Sequence, residues 1–277
     1  MHKIFITFSV FLILFVSCKD GNEYGYVRLS FEHYWDYQDQ DDQENTPIQI
    51  DGTTQYINEA GNILTFDRLE YFISNLRISG SSTLNVQHPN IHYITNDTNY
   101  SVMLLTYQIP VGSYNEIRFT FGLDANNNKS NLFANSPEKD MDWPVNMGGG
   151  YHYMKIDGKW KNADDVTNTP FNLHLGALEE ITRIDTIYGI RVTTQVRDSI
   201  IRIDTIIEKF HKHFFVSVPR SFTVESHTVT TVDPIIMDVK QWMERPFRWD
   251  FNVMGGAIMS RRYALDSLAQ NGRTAFR

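Results

Sequence analysis

Cysteine is almost absent: Cys18 is the only one in 277 residues. No internal disulfide and no thiolate metal cluster can form. There is no apolar run long enough to span a bilayer as a mature helix, since the stretch from Ile4 to Val16 falls short of the ~20 residues required. A basic excess is missing too: the net charge is −8 and the pI about 5.6. Nucleic acid is excluded as a partner, because a phosphate backbone is bound by clustered Lys and Arg. Ser136 and Asp157 are available for a hydrolytic triad, but no nucleophile elbow presents a serine. Gly148 to Gly150 are not followed by the Lys and Ser or Thr of a phosphate loop. No Pro-, Gly- or Ser-rich linker divides the chain, which favours one domain.

The N-terminus joins Lys3 to the apolar run and ends in Ser17 before Cys18. This is the pattern of a signal peptide over residues 1–17, and it resembles the lipobox of bacterial lipoproteins with Phe15 in place of the usual leucine. The expectation is a lipid anchor on Cys18, a charged tether over residues 18–25, and an outer-membrane lipoprotein on the periplasmic or the cell-surface face.

Hydrophobic residues make up 42% and aromatics 13% of the sequence, enough for a sizeable core. Val27, Leu29, Phe31, His33 and Trp35 alternate with polar residues, so Tyr26 to Trp35 is expected as a half-buried strand. His33 lies on its apolar face, as a ligand or as a core residue. Leu69 to Ile78 alternates less cleanly, which suits a strand buried on both faces or bulged at Ser74 and Asn75. Strands are also expected at Ile91 to Ile94, Tyr100 to Leu105, Tyr114 to Leu123 and Phe210 to Val218, the last carrying His211 and His213. The six-residue runs TRIDTI at Thr182 and IRIDTI at Ile201 read as a protruding hairpin over residues 182–206. It serves either as a blunted edge or as a docking arm. A helical turn at Val239 to Glu244 and a helix over Ala257 to Phe276 complete the pattern. The expected fold is all-β: a single antiparallel β-sandwich over residues 26–277 with long loops, a protruding β-hairpin insertion and a C-terminal helix.

Two places bear on metals. Asp124, Asn126 and Asn128 space their oxygens like the first half of a calcium loop, although an asparagine-rich turn accounts for them as well. The stretch from Asp140 to Gly176 sets Trp143, three glycines, His152 and His174 into one strand, loop, strand unit, with Met141, Met147 and Met154 close by. Two imidazoles from separate strands without a thiol suit copper better than structural zinc, which takes four protein ligands. Ordinary hydrogen-bonded histidines fit the same pattern.

The runs LEYFISNLRI at Leu69, FTFGLDANNN at Phe119, SPEKDMDWP at Ser136, GGGYHYMKIDG at Gly148, FNLHLG at Phe171 and DVKQWMERP at Asp238 together resemble the MbnP-like family of copper-binding proteins. That resemblance covers nearly the whole mature chain, with the 182–206 ribbon as an insertion. It implies a β-sandwich that binds Cu(I) through histidines and performs no catalysis. The ligand candidates it points to are His174 first, then His152, with His33 retained. Trp143 is the candidate for oxidation, with Met141 and Met154 around it. The partners implied are a dihaem peroxidase-type enzyme or an outer-membrane transporter.

Overall fold

The computed structural model describes residues 23–39, 45–80, 85–88, 90–190 and 197–277. The signal peptide, Cys18 and most of the tether lie outside the described residues, as do part of the acidic loop and the ribbon tip. Along the chain come β1 (Tyr24–Tyr34), β2 (Tyr56–Ile57), β3 (Ile63–Gly80), β4 (Asn85–His88), β5 (His92–Thr95), α1 (Thr98–Ser101), β6 (Val102–Pro110) and β7 (Gly112–Phe121). There follow β8 (Met154–Lys161), β9 (Thr169–Leu175), β10 (Leu178–Ile190), β11 (Arg197–Phe210), β12 (Phe214–Val224), β13 (Val229–Thr231), β14 (Ile235–Asp238), α2 (Phe251–Met254) and α3 (Arg262–Gly272). Among the described residues no helix is long and apolar enough to cross a membrane.

The larger sheet runs β12-β7-β3-β8-β9, with β2, β4 and β5 also paired to β3, and every pair in it is antiparallel. The smaller sheet is built on β1. It pairs antiparallel with β6 but parallel with β13 and β14, so the sandwich is mixed at this layer rather than antiparallel throughout. The two layers meet through aromatic side chains: Phe31 of β1 lies 5.7 Å from Phe119 of β7 and 6.4 Å from Tyr71 of β3, both edge-on.

Local sequence explains most of this. On β1, Val27, Leu29, Phe31 and His33 are buried and their neighbours are not, as the alternation requires. On β3, Tyr71, Phe72, Ile73 and Ser74 are all buried, so period two fails there. Tyr71 and Ile73 enter the sandwich core, while Phe72 enters a second cluster on the outer face with Leu123, Met141, Tyr151, Tyr153 and Ala177. The expected bulge is present: the β3–β7 register shifts between Ser74 and Arg77, and Asn75 has φ +53°.

Three boundaries differ from the sequence reading. Asp97 caps the short helix α1 through the Asn99 amide, so β6 begins at Val102 rather than at Tyr100. His211 and His213 lie in the connection before β12, not in a strand. The C-terminal helix is only Arg262–Gly272; its buried face is Ala264, Leu265, Leu268 and Ala269, while Tyr263 is exposed. Phe276 lies beyond it and packs on Tyr71, Phe119 and Phe121.

Phe121 is fully buried and stacks on Phe214 at 4.9 Å and on Tyr71 at 5.4 Å. Phe121→Ala is expected to lower the unfolding free energy by about 3–5 kcal/mol in urea titrations. Phe215→Ala, at a side chain 77% exposed, is expected to change it by no more than about 0.5 kcal/mol.

Candidate metal centre

The centre is built on the outer face of the larger sheet. Met154 pairs with Tyr71 and Leu175 and points with them into the sandwich core, so its neighbours in register, Lys155, Glu70 and His174, project from the opposite face. Over that face folds the loop from residue 130 to residue 153. Trp143 donates its amide to the Gly150 carbonyl at 2.8 Å, and Asp142 bridges Tyr151, so the loop closes as a small antiparallel clasp. The reversal needs left-handed backbone three times running: Gly148, Gly149 and Gly150 have φ of +108°, +59° and +86°. Asn128 fixes the far side, accepting from the Tyr151 amide at 2.8 Å and donating to the Tyr153 hydroxyl at 3.1 Å.

The clasp lays three rings against one another. Trp143 and His152 have centroids 4.8 Å apart, and His152 and His174 4.9 Å apart at 90°. Trp143 is buried, donates from Nε1 to the Met147 carbonyl, and covers Gly176, where a Cβ would come within 2.4 Å of the indole.

Each histidine is held by one nitrogen only. His152 Nδ1 lies 2.9 Å from the Met141 carbonyl, which can only accept, so Nδ1 carries the proton. His174 Nε2 donates in the same way to Asp157 Oδ1 at 2.7 Å, an oxygen that also accepts from Asn172 Nδ2 at 2.8 Å. The two remaining nitrogens, His152 Nε2 and His174 Nδ1, are buried without a hydrogen-bond partner. A buried polar atom left unpaired costs ~1–3 kcal/mol, so two on touching rings call for an explanation. Imidazoles oriented through one ring nitrogen by a carbonyl and a carboxylate, with the other nitrogen left without a partner, have the arrangement in which histidines bind a metal.

Charge around the pair is arranged to keep His152 neutral. Burial pushes its pKa down to about 3, with His174 and Lys155 adding to the effect against the Met141 bond. Lys155 is itself buried and donates to the Asp140 carbonyl at 2.5 Å, with Glu70 at 3.6 Å. Its pKa is lowered, burial outweighing the pull of Glu70. Asp157 stays below the usual carboxylate range: burial opposes this, but the bonds from His174 and Asn172 prevail, and Arg68 lies 3.3 Å away.

The other sequence candidates lie elsewhere. His33 is on the core side of β3, its Nε2 3.1 Å from the Tyr71 hydroxyl, and the sheet itself separates it from His174. Met154 is likewise in the sandwich core; His152 does not share its face, because it precedes β8 and folds back over the outer side. Met141 contributes its carbonyl, while its side chain fills the outer cluster. Asp124 spends its oxygens on Asn75, Asn126 and Asn127, and Asn128 is committed to Tyr151 and Tyr153, the hydrogen bonding of an asparagine-rich turn. Among the described residues no three His, Cys, Asp or Glu side chains converge. Lys155 and the orienting role of Asp157 were not visible in the sequence, because the β8–β9 register that brings both to His174 is a tertiary fact.

Against this geometry stand the comparisons. The family model MbnP matches residues 24–253. Among solved structures, the chain is similar to MbnP from Methylosinus trichosporium, with 12% identity, a TM-score of 0.45, and coverage of 81% of this chain and 79% of that one. No curated protein matches.

Burial pushes the pKa of His33 down to about 4. Between that value and the unfolded value near 6.5 the unfolded chain takes up a proton that the native chain refuses. Stability is therefore full above about 6.5 and falls as pH falls, by about 1.4 kcal/mol per pH unit for each such group. Thermal melts across this window are expected to show a shallower acid slope for His33→Gln than for the parent; equal slopes would contradict the assignment.

Proposed function

Because this chain belongs to the MbnP family, we propose that it is a copper-binding protein of the cell envelope, holding Cu(I) between His152 and His174. The observation that carries the reading is the pair of unpartnered buried nitrogens on rings 4.9 Å apart. A soft monovalent d10 ion is satisfied by two neutral nitrogen donors in near-linear array, whereas structural zinc requires four protein ligands and calcium a shell of oxygens. The pair has neither thiolate nor carboxylate among its own donors, which suits a soft monovalent ion better than a hard divalent one. Trp143 is buried against His152, and that contact supports reading it as the residue that is oxidised.

The role is sequestration or delivery, without turnover. An acyl chain on Cys18 would keep the protein at the outer membrane, on the periplasmic or the surface face. The partners that fit are a transporter in that membrane or a dihaem peroxidase-type enzyme acting on Trp143.

Titration of the purified protein with Cu(I) against a competing chelator is expected to show one tight equivalent, lost in His152→Ala and in His174→Ala. Asp157→Asn, which keeps both ligands but weakens the hold on His174, is expected to cost about 10–100-fold in affinity. Binding unchanged in the double alanine variant would end the proposal.

A second reading, a metal-free interaction module docking a partner through residues 182–206, is favoured by one observation. Among the described residues, strands β10 and β11 pair with each other and with no other strand, and Lys209 at their root donates to the Gly148 carbonyl at 2.6 Å. Removing residues 183–206 is expected to abolish cross-linking to an envelope partner on intact cells while leaving the thermal melt of the sandwich unchanged; equal cross-linking would remove this reading.

A further inference from the structure

On the far side of the second aromatic cluster, an open cleft of about 860 Å3 lies between the β11–β12 connection and the end of α3. We infer that this cleft binds a phosphate-class oxyanion. Its charged lining is Lys212, Arg245, Arg273 and Asp266. Asp266 is already neutralised, with Lys212 at 2.6 Å and Arg262 at 3.8 Å. Arg245 and Arg273 have no carboxylate partner among the described residues; the Arg273 guanidinium lies 5.4 Å from the Phe214 ring centroid. Elsewhere on the same sheet Arg118 is paired with Glu116 at 2.7 Å and Arg77 is bonded to Gln87 at 2.9 Å. Arg245 and Arg273 thus bring two guanidiniums without a carboxylate into one concavity, and with Lys212 offset by Asp266 the lining carries a net positive charge.

The histidines of the cleft supply donors. Asn128 Nδ2 donates to the Tyr153 hydroxyl, so that hydroxyl gives its own hydrogen to His211 Nδ1 at 2.8 Å. His211 is left with Nε2–H as its free donor. His213 lines the cleft beside it, its Nδ1 buried without a partner. A cation entering here would meet two uncompensated positive charges, which disfavours a second metal site. The C-terminal end of α3 opposes an anion with roughly half a negative charge, less than the two guanidiniums contribute. Planar guanidiniums with an imidazole N–H match a tetrahedral oxyanion that accepts several hydrogen bonds at once. Asp124, whose field reaches both histidines, has its oxygens engaged in its own turn.

The source is either a free phosphate or a lipid headgroup, and two arms separate them. In the first, the metal-free full chain is titrated with inorganic phosphate against a chloride background of equal ionic strength. In the second, it is floated with phosphatidylglycerol vesicles and with phosphatidylcholine vesicles. Saturable one-site binding in either arm, weakened at least tenfold in Arg245→Gln/Arg273→Gln and unchanged in Arg77→Gln/Arg118→Gln, is the expected result. Equal effects of the two double variants would reduce the binding to general screening and overturn the inference, as would the absence of saturation in both arms. Unaltered melting of the Arg245→Gln/Arg273→Gln protein without phosphate shows that any loss is not misfolding.

Discussion

Strand β3 has to be covered on both faces, and much of the molecule follows from that constraint. Its inner face meets β1 through Tyr71, Phe31 and His33. Its outer face carries Phe72, which a one-layer sheet would leave in water. The loop from residue 130 to residue 153 provides the cover, with Phe133 stacked on Phe72 at 5.3 Å and Tyr151 edge-on to both rings. A large aromatic side chain removed from water contributes on the order of 1.5–3 kcal/mol, and these rings together with the hydrogen bonds of the clasp offset part of the entropy of ordering the loop. The histidine pair sits on the flank of this roof, and the cover needed by β3 is also what buries the pair.

Burying charge beside such a pair requires that each ion find its complement. Along the outer face His174, Asp157, Arg68, Glu70 and Lys155 form a line in which basic and acidic groups alternate, with Tyr93 donating to Glu70 at the end. Ion pairs of this kind add little net stability, because desolvation cancels most of the attraction. Their effect here is orientation: the carboxylate fixes which nitrogen of His174 keeps its proton. On the other ring a backbone carbonyl does the same work, and since the Met141 carbonyl also accepts the His152 amide at 2.7 Å, main chain and side chain of His152 are positioned by one atom.

What the sequence made legible was local. The alternation of β1, the doubly buried β3 and the bulge at Asn75 are consequences of neighbouring residues, and period, burial and turn chemistry report them. The concentration of Trp143, His152 and His174 in one stretch was also visible, and the resemblance to the MbnP-like family pointed to the same residues. Which nitrogens would be free was not, since that depends on Asp157 standing diagonal to His174 across β8 and β9 and on a carbonyl in a loop without regular structure. His33 misled for the complementary reason. An apolar strand face shows that a histidine is inside, not which side of the next sheet it is on. The parallel pairing of β1 with β13 and β14 likewise depends on chain crossing, which alternation does not encode.

The lysine at the foot of the ribbon ties two distant scales of the molecule together. Lys209 grips the carbonyls of Gly148 and Gly149, the hinge of the loop on which Trp143 is carried. The foot of the ribbon and the glycine turn beside Trp143 are therefore one hydrogen-bonded unit, and neither can shift without breaking these bonds or carrying the other along.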